Sequence, residues 1–388
     1  MDINFHYYTI KVLAISAGFK EDEAQRIASF SQFVDDYRTA RPFFIDSVPS
    51  YAEHLVRTRF SKSFFFPVTT GFTTVIDMAM LLLPEHQRWI ATPFHFIPKK
   101  SLSELGLLIA DDSDNRCKLR VVPAKLNDGS LISQMLETAR ENLVTKKEER
   151  HICLMRIGML LHIFADTYAH QRFSGFQGWE NNSITTNVTR NTDGLNMTSS
   201  YHPELFAHLA PIGHANIGTV ADISNVSFKI RQRATQLDTQ RTALYERNNT
   251  QEFLNASYEI ICYLRSCLAK ESVNYENNKN DNEWASLSIL IEKGLNFDPN
   301  GRTIQKNYWS NIFENINFDY SRNKLRITTQ PLGIRITDEM RRFAERHNID
   351  SLIHRARSDD YFRYNVIANE IRQKVVGAKK EVPEVYLT

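Results

Sequence analysis

The chain has 388 residues, 42% hydrophobic and 24% charged, with a formal net charge of +2. That is the profile of an ordinary globular protein with one large or two medium domains. The charge balance excludes a dominant electrostatic pull toward nucleic acid or a membrane surface, although local basic clusters stay open.

Only 14 glycines and 12 prolines occur, which favours helix over a turn-rich β fold. The 4 cysteines (Cys117, Cys153, Cys262 and Cys267) form no CxxC pair and no zinc-finger spacing with His. They read as buried thiols in a reducing compartment. The N-terminus lacks a basic stretch followed by an apolar one, so no signal peptide is visible. The apolar runs Val75–Leu83 and Ile152–Phe164 are too short to span a bilayer. A cytoplasmic location with no transmembrane segment is expected.

In chain order, Ile3–Ala17 has a helical period, carries His6 and stops at Gly18. Glu21–Tyr37 follows as a second helix with an acidic first turn and the ending V-D-D-Y. A short turn makes these helices antiparallel neighbours, which brings His6 toward Asp35 and Asp36. An acidic pair at a helix C-terminus opposes the macrodipole, and a nearby cation would offset that charge. A solvated helix end is the plain alternative. Short helices are expected at Tyr51–Arg57 and Thr74–Leu83. The loop A-T-P-F-H-F-I-P then holds His95 either as a satisfied core residue or as a ligand. Cys117–Pro123 reads as a lone strand and Ser130–Val144 as an amphipathic helix.

Lys147–Arg172 is the long central helix. Its end, Gly158–Phe176, reads G-M-L-L-H-I-F-A-D-T-Y-A-H-Q-R-F-S-G-F. His162, Asp166 and His170 are spaced four apart, and each step of four rotates only about 40° and rises about 6 Å. They therefore share one stripe. A lone His there would read as a core residue with a hydrogen-bond partner. Three potential ligands in register, inside an oily helix, need partners, and a metal supplies them most economically. His151 lies about 16 Å up the same helix, too far to join them. Phe173, Phe176 and Trp179 follow directly and could stack a base or contact an acyl chain, or simply pack.

Gly178–Ser200 reads as a polar surface loop. His202, His208, His214 and Asp222 then crowd together in a chain with only 12 histidines. Phe228–Leu268 reads as charged and then helical, and Val273–Asn282 as a linker. Helices are expected at Glu283–Lys293, Thr303–Ile316, Thr337–Arg346 and Asp359–Val376, with a short strand at Lys324–Thr328. His347 and His354 read as surface residues. The expected fold is mainly α. A metal-binding domain over 1–225 is followed by a helical extension over 226–388.

Several metal and hydrolase motifs are absent. There is no H-E-x-x-H, only one E-x-x-H (Glu148, His151), no His-Asp dipeptide, no P-loop and no G-x-S-x-G. What remains resembles the zinc-dependent phospholipase C and P1 nuclease superfamily. The likeness rests on His6, Asp35 or Asp36, His95, L-H-I-F-A-D-T-Y-A-H, and a later His. It covers about the first 225 residues. The chain also resembles an uncharacterised bacterial family with F-H-Y-Y, S-Q-F-V-D-D, P-F-H-F-I-P and G-H-A segments.

The resemblance implies zinc, two or three ions, held by His6, Asp35, Asp36, His95, His162, Asp166, His170, His214 and Asp222. Asp35 or Asp36 would bridge metals or act as general base, and Asp166 would bridge. The implied activity is phosphodiester hydrolysis on nucleic acid, nucleotide or a phospholipid head group. The alternative is an inactive, metal-stabilised binding or scaffold protein. Secreted members of the superfamily use their mature N-terminal residue as a ligand after signal cleavage, so here two ions are expected ahead of a third. The histidine after Asp166 comes sooner than in those enzymes, and Gly218 stands where their late H-x-x-x-E/D motif has its acid.

Overall fold

The computed structural model describes residues 1–38, 41–71, 81–106, 113–192, 195–198, 209–269, 282–297, 302–325 and 329–377. The chain is not mainly α. It combines a helical core with two sheets, and this corrects the expected fold class.

Helix α1 (Ile10–Ser16) is entered through a π-helical stretch, Asn4–Thr9, which carries His6. Such wide turns are rare and recur at functional sites. Gly18, at φ +103°, turns the chain into α2 (Glu21–Asp36). Glu21, Asp22 and Glu23 in the first turn suit its positive N-terminal end. Its apolar face, including Ile27, Phe30, Phe33 and Val34, is buried.

After α3 (Leu131–Val144) comes α4 (Arg150–Ala169). This helix is long and apolar enough to cross a membrane, but 94% of that window is buried within the protein. A helix that is apolar all round belongs in the middle of a core. Gly158 lets α2 approach it, because a Cβ there would lie 2.3 Å from the Ile27 carbonyl oxygen. The longer helices that follow among the described residues are α5 (Asn249–Leu268), α6 (Asn282–Asn296), α7 (Arg302–Ile312), α8 (Asp338–Arg346) and α9 (Asp359–Val376).

One sheet has the order β2-β3-β1-β9-β8, with β1 Phe43–Ile45, β2 Val56–Arg59, β3 Lys62–Phe65, β8 Thr329–Arg335 and β9 Asp350–Ala356. Strand β1 is antiparallel to β3 and parallel to β9. The parts expected over 1–225 and 226–388 therefore share a sheet, and they share one apolar core as well.

The second sheet is antiparallel, β5-β4-β6-β7, with β4 Ser183–Thr192, β5 Leu195–Thr198, β6 Val226–Arg233 and β7 Thr242–Asn248. Two of its strands replace an expected polar loop, and the other two occupy the charged part of the stretch expected to be charged and then helical, whose helical part is α5. Strand β6 alternates buried and partly exposed residues, with Val226, Phe228 and Ile230 facing inward. That is the period of a half-buried strand.

The short helix expected at Tyr51–Arg57 is a 3-10 helix, Ser50–Leu55, that leads into β2. Cys117–Pro123 is no strand. It begins in a 3-10 turn, Asp114–Leu119, and Val121 then exchanges backbone bonds with Arg172 and Phe173. The four cysteines are free thiols, buried except for half-buried Cys117. His202 and His208, most of the Thr74–Leu83 and Val273–Asn282 stretches, and most of the strand expected at Lys324–Thr328 lie outside the described residues.

Candidate metal centre

Three elements converge at the C-terminal end of α4: the π-helical turn with His6, the end of α2 with Asp35, and the buried turn with His95. A fourth strand of chain, His214–Asp222, closes the group. Three sets of donors each gather within 4.8 Å: His6, His162 and Asp166; Asp35, His95 and His162; His170, His214 and Asp222.

Asp166 stands at the centre and is 1% exposed. Its Oδ1 lies 3.2 Å from His6 Nε2 and 2.7 Å from the Met1 amine. Its Oδ2 lies 3.2 Å from His95 Nδ1 and 3.3 Å from His162 Nε2. The two oxygens thus face different imidazoles. Asp35 Oδ1 is 3.6 Å from His162 Nε2 and 3.9 Å from His95 Nδ1. Asp222 Oδ1 is 2.8 Å from His170 Nε2 and 3.2 Å from the Met1 amine, and its Oδ2 is 3.2 Å from His214 Nε2.

Backbone carbonyls orient three of the rings. His95 Nε2 donates to the Thr70 carbonyl at 2.7 Å, His170 Nδ1 to the His95 carbonyl at 2.6 Å, and His214 Nδ1 to the Gly218 carbonyl at 2.7 Å. Each bond commits one ring nitrogen to a carbonyl, so the opposite nitrogen, which faces a carboxylate, is the one left to take a cation. His6 and His162 stack at 3.8 Å between ring centroids, and their buried Nδ1 atoms have no hydrogen-bond partner. Phe96 stacks on His170 at 4.5 Å. Gly213 makes room for it, since a Cβ there would lie 2.4 Å from the Phe96 ring.

Burial and mutual charge set the protonation tendencies. Burial raises the Asp35 carboxyl, against the pull of His162 and His95. Burial would also raise Asp166, but the Met1 ammonium and then His170, His162 and His6 hold it well below the usual carboxylate range. Asp222 is likewise held low, by His214, the Met1 ammonium and His170, in spite of burial. Burial lowers His6, helped by its like-charged neighbours His162 and Met1. Burial also lowers His170, in spite of Asp166 and Asp222. For His95 and His214 burial is outweighed by Asp166 and Asp222 respectively, and both rise. The Met1 amine is pushed up to about 11 by its carboxylates in spite of burial.

Asp36 is not brought to this centre. Its Oδ2 accepts from the Tyr320 hydroxyl at 2.5 Å, because consecutive residues at the end of α2 point in different directions. His151 is exposed beside Glu149. Phe173, Phe176 and Trp179 are buried and serve as packing, with Phe173 edge-on to His214. His354 is no surface residue: it is buried, with Nε2 2.8 Å from Asp350 Oδ2. The Met1 amine also lies beside Asp166 and Asp222, a contact that no side-chain motif signals.

The C-terminal half supplies support. Arg247 Nη1 donates to the Ala169 carbonyl at 2.5 Å and Nη2 to the Ala221 carbonyl at 3.2 Å. It thereby ties the segment before His170 to the one before Asp222. Among the described residues, the three donor sets all lie at or before Asp222.

Residues 1–378 match a family of unknown function (DUF6765), and the chain belongs to that family. No curated protein and no solved structure matches it.

Proposed function

We propose that this member of the family is a metal-dependent phosphodiester hydrolase that takes zinc-class ions around Asp166. The observation that carries this reading is one buried carboxylate with His6 at one oxygen and His95 and His162 at the other. The donors fit: nitrogen and carboxylate oxygen are what zinc takes, and three of the rings are held by carbonyls in the tautomer that ligation needs. Asp35, His95 and His162 with Asp166 Oδ2 would hold one ion. His170, His214 and Asp222 would hold a second. His6, Asp166 Oδ1 and the Met1 amine form a third group. Bound there, the cations would supply charge to acidify a water and to offset a phosphate.

The side chains define an approach. His6, His162 and Asp166 are buried, whereas Asp35 is 28% exposed, Asp222 25% and His214 18%. The open edge is therefore lined by Asp35, His214 and Asp222, and a substrate phosphate enters there. Asp35 stands at that edge, where its carboxylate would accept a proton from the attacking water. Asp166 holds the donor sets in mutual register. Phe96 and Phe173 pack behind His170 and His214 and keep water from their far side.

The open edge favours catalysis over a purely metal-stabilised scaffold, since structural sites are closed. Elemental analysis of protein never exposed to chelator should give two or three zinc-class ions per chain. Bis-p-nitrophenyl phosphate should be hydrolysed, and chelator should stop the reaction. Less than half an equivalent of any transition metal refutes the reading. Full metal with no turnover leaves the scaffold.

A further inference from the structure

Tyr364 lies on α9, nearly 300 residues from Thr70 in sequence, and is fully buried. Its ring packs at 5.3 Å from Phe33 and 4.9 Å from Tyr37, against the last turns of α2. Its hydroxyl is 2.8 Å from Thr70 Oγ1. The Thr70 hydroxyl itself donates to the Val34 carbonyl at 2.8 Å, one residue before Asp35. With that proton committed, Tyr364 is the donor to Thr70. The same Thr70 offers its backbone carbonyl to His95 Nε2.

Asn365, next on the helix, secures the same segment. Its Oδ1 accepts from the Val68 amide at 2.6 Å, and its Nδ2 donates to the Tyr37 hydroxyl at 3.1 Å. The Thr70 and Gly71 amides both donate to the Tyr37 carbonyl. Gly71 then runs so close to α2 that a Cβ would fall 1.9 Å from the Asp35 carbonyl oxygen. One short segment therefore touches the backbone of Asp35 and the ring of His95 at once.

We propose that Tyr364 is a positioning residue for the Asp35–His95–His162 donor set. Through Thr70 it sets the spacing between the end of α2 that carries Asp35 and the carbonyl that orients His95. This rests on the metal reading above. Loss of the phenol proton donor frees Thr70 Oγ1 from one of its two partners. The carbonyl that selects the His95 tautomer then wanders relative to Asp35, and two ligands of one ion lose their mutual register. Partners outside the ligand shell typically matter by about 10–100-fold in metal affinity. Tyr364 acts one bond further out, so about 10-fold is expected.

The test is Tyr364→Phe, which keeps the ring and removes only the hydroxyl, with Thr70→Val as a second variant that removes the Oγ1 relay. Tyr263→Phe is the control, because it removes an equally buried phenol bond, to the Leu136 carbonyl at 2.9 Å, away from the centre. Metal-stripped proteins are titrated with Co2+ alone and followed by visible absorption, with melting curves recorded in parallel. Tyr364→Phe and Thr70→Val should each weaken one cobalt-binding phase about 10-fold and alter its band shape. Tyr263→Phe should lower the melting temperature and leave all phases unchanged. A cobalt titration of folded Tyr364→Phe and Thr70→Val that matches wild type overturns the positioning role. Equal weakening in Tyr263→Phe also overturns it, because the effect would then follow stability alone. A wild-type chain that takes up no cobalt overturns the metal reading, and this inference with it.

Discussion

Asp166→Asn changes one atom and removes one charge at the centre of the cluster. Asp166 Oδ1 faces His6 and the Met1 amine, and Oδ2 faces His95 and His162, all within 3.3 Å. An amide offers one oxygen instead of two and no negative charge, so the His6–His162–Asp166 set loses its carboxylate and the carboxylate contacts to His95 and His162 are weakened. Breaking one side of a buried charge pair costs about 3–5 kcal/mol. At about 1.4 kcal/mol per factor of ten, metal affinity should fall by 100-fold or more. His151→Gln, an exposed change on the same helix, should stay within about 0.5 kcal/mol of wild type. Metal content after dialysis and turnover of bis-p-nitrophenyl phosphate are measured on both variants. Asp166→Asn should lose metal and any turnover together, and His151→Gln should keep both. Full metal in Asp166→Asn, or loss of metal in His151→Gln, refutes the placement of the centre on this helix.

Three further outcomes follow from packing and charge. Gly158→Ala should destabilise by about 1–3 kcal/mol, because the new methyl meets the Ile27 carbonyl. Helix propensity alone would stabilise by about 1 kcal/mol, so the sign of the change in urea unfolding decides between them. Arg116→Met leaves Glu180, fully buried, without the guanidinium that holds it at 2.8 Å. It should cost about 3–5 kcal/mol, much of it recovered in a double variant with Glu180→Gln, and equal losses in single and double variants would exclude a paired-charge origin. In metal-free protein Asp222 is held well below the carboxylate range. A depressed carboxylate contributes stability that is present above its unfolded value of about 3.9 and lost as pH falls through its lower folded value. Asp222→Asn should therefore lower the melting temperature at neutral pH, and the gap to wild type should close in acid. A gap that widens on acidification contradicts the assignment.

Local pattern determined much of this centre. His162, Asp166 and His170 share a helical stripe because the α-helix returns to the same face every four residues, whatever surrounds it. The antiparallel approach of α1 and α2 follows from the turn at Gly18, and it places His6 and Asp35 on the same side. The strands were legible in part. V-S-F-K-I-R-Q-R alternates apolar and polar residues, yet its charge count mimics an exposed helix. S-I-T-T-N-V-T-R-N-T alternates too weakly to stand apart from a polar loop, because one of its faces is wet.

Contacts between distant parts of the chain had to come from the tertiary structure. The choice of Asp35 over Asp36 depends on which residue meets Tyr320, 284 positions away. The Thr70 carbonyl that orients His95 is held by Tyr364, and the segment ends before His170 and Asp222 are held by Arg247. None of these partners sits in a recognisable motif, since a buried Tyr or Arg looks alike in any core. The pairing of β1 with β9 joins halves that composition alone separates. Sequence fixes which groups a helix presents together. Which of them become neighbours across the core is settled by long-range packing, where a buried donor or acceptor must find a partner or pay the cost of desolvation.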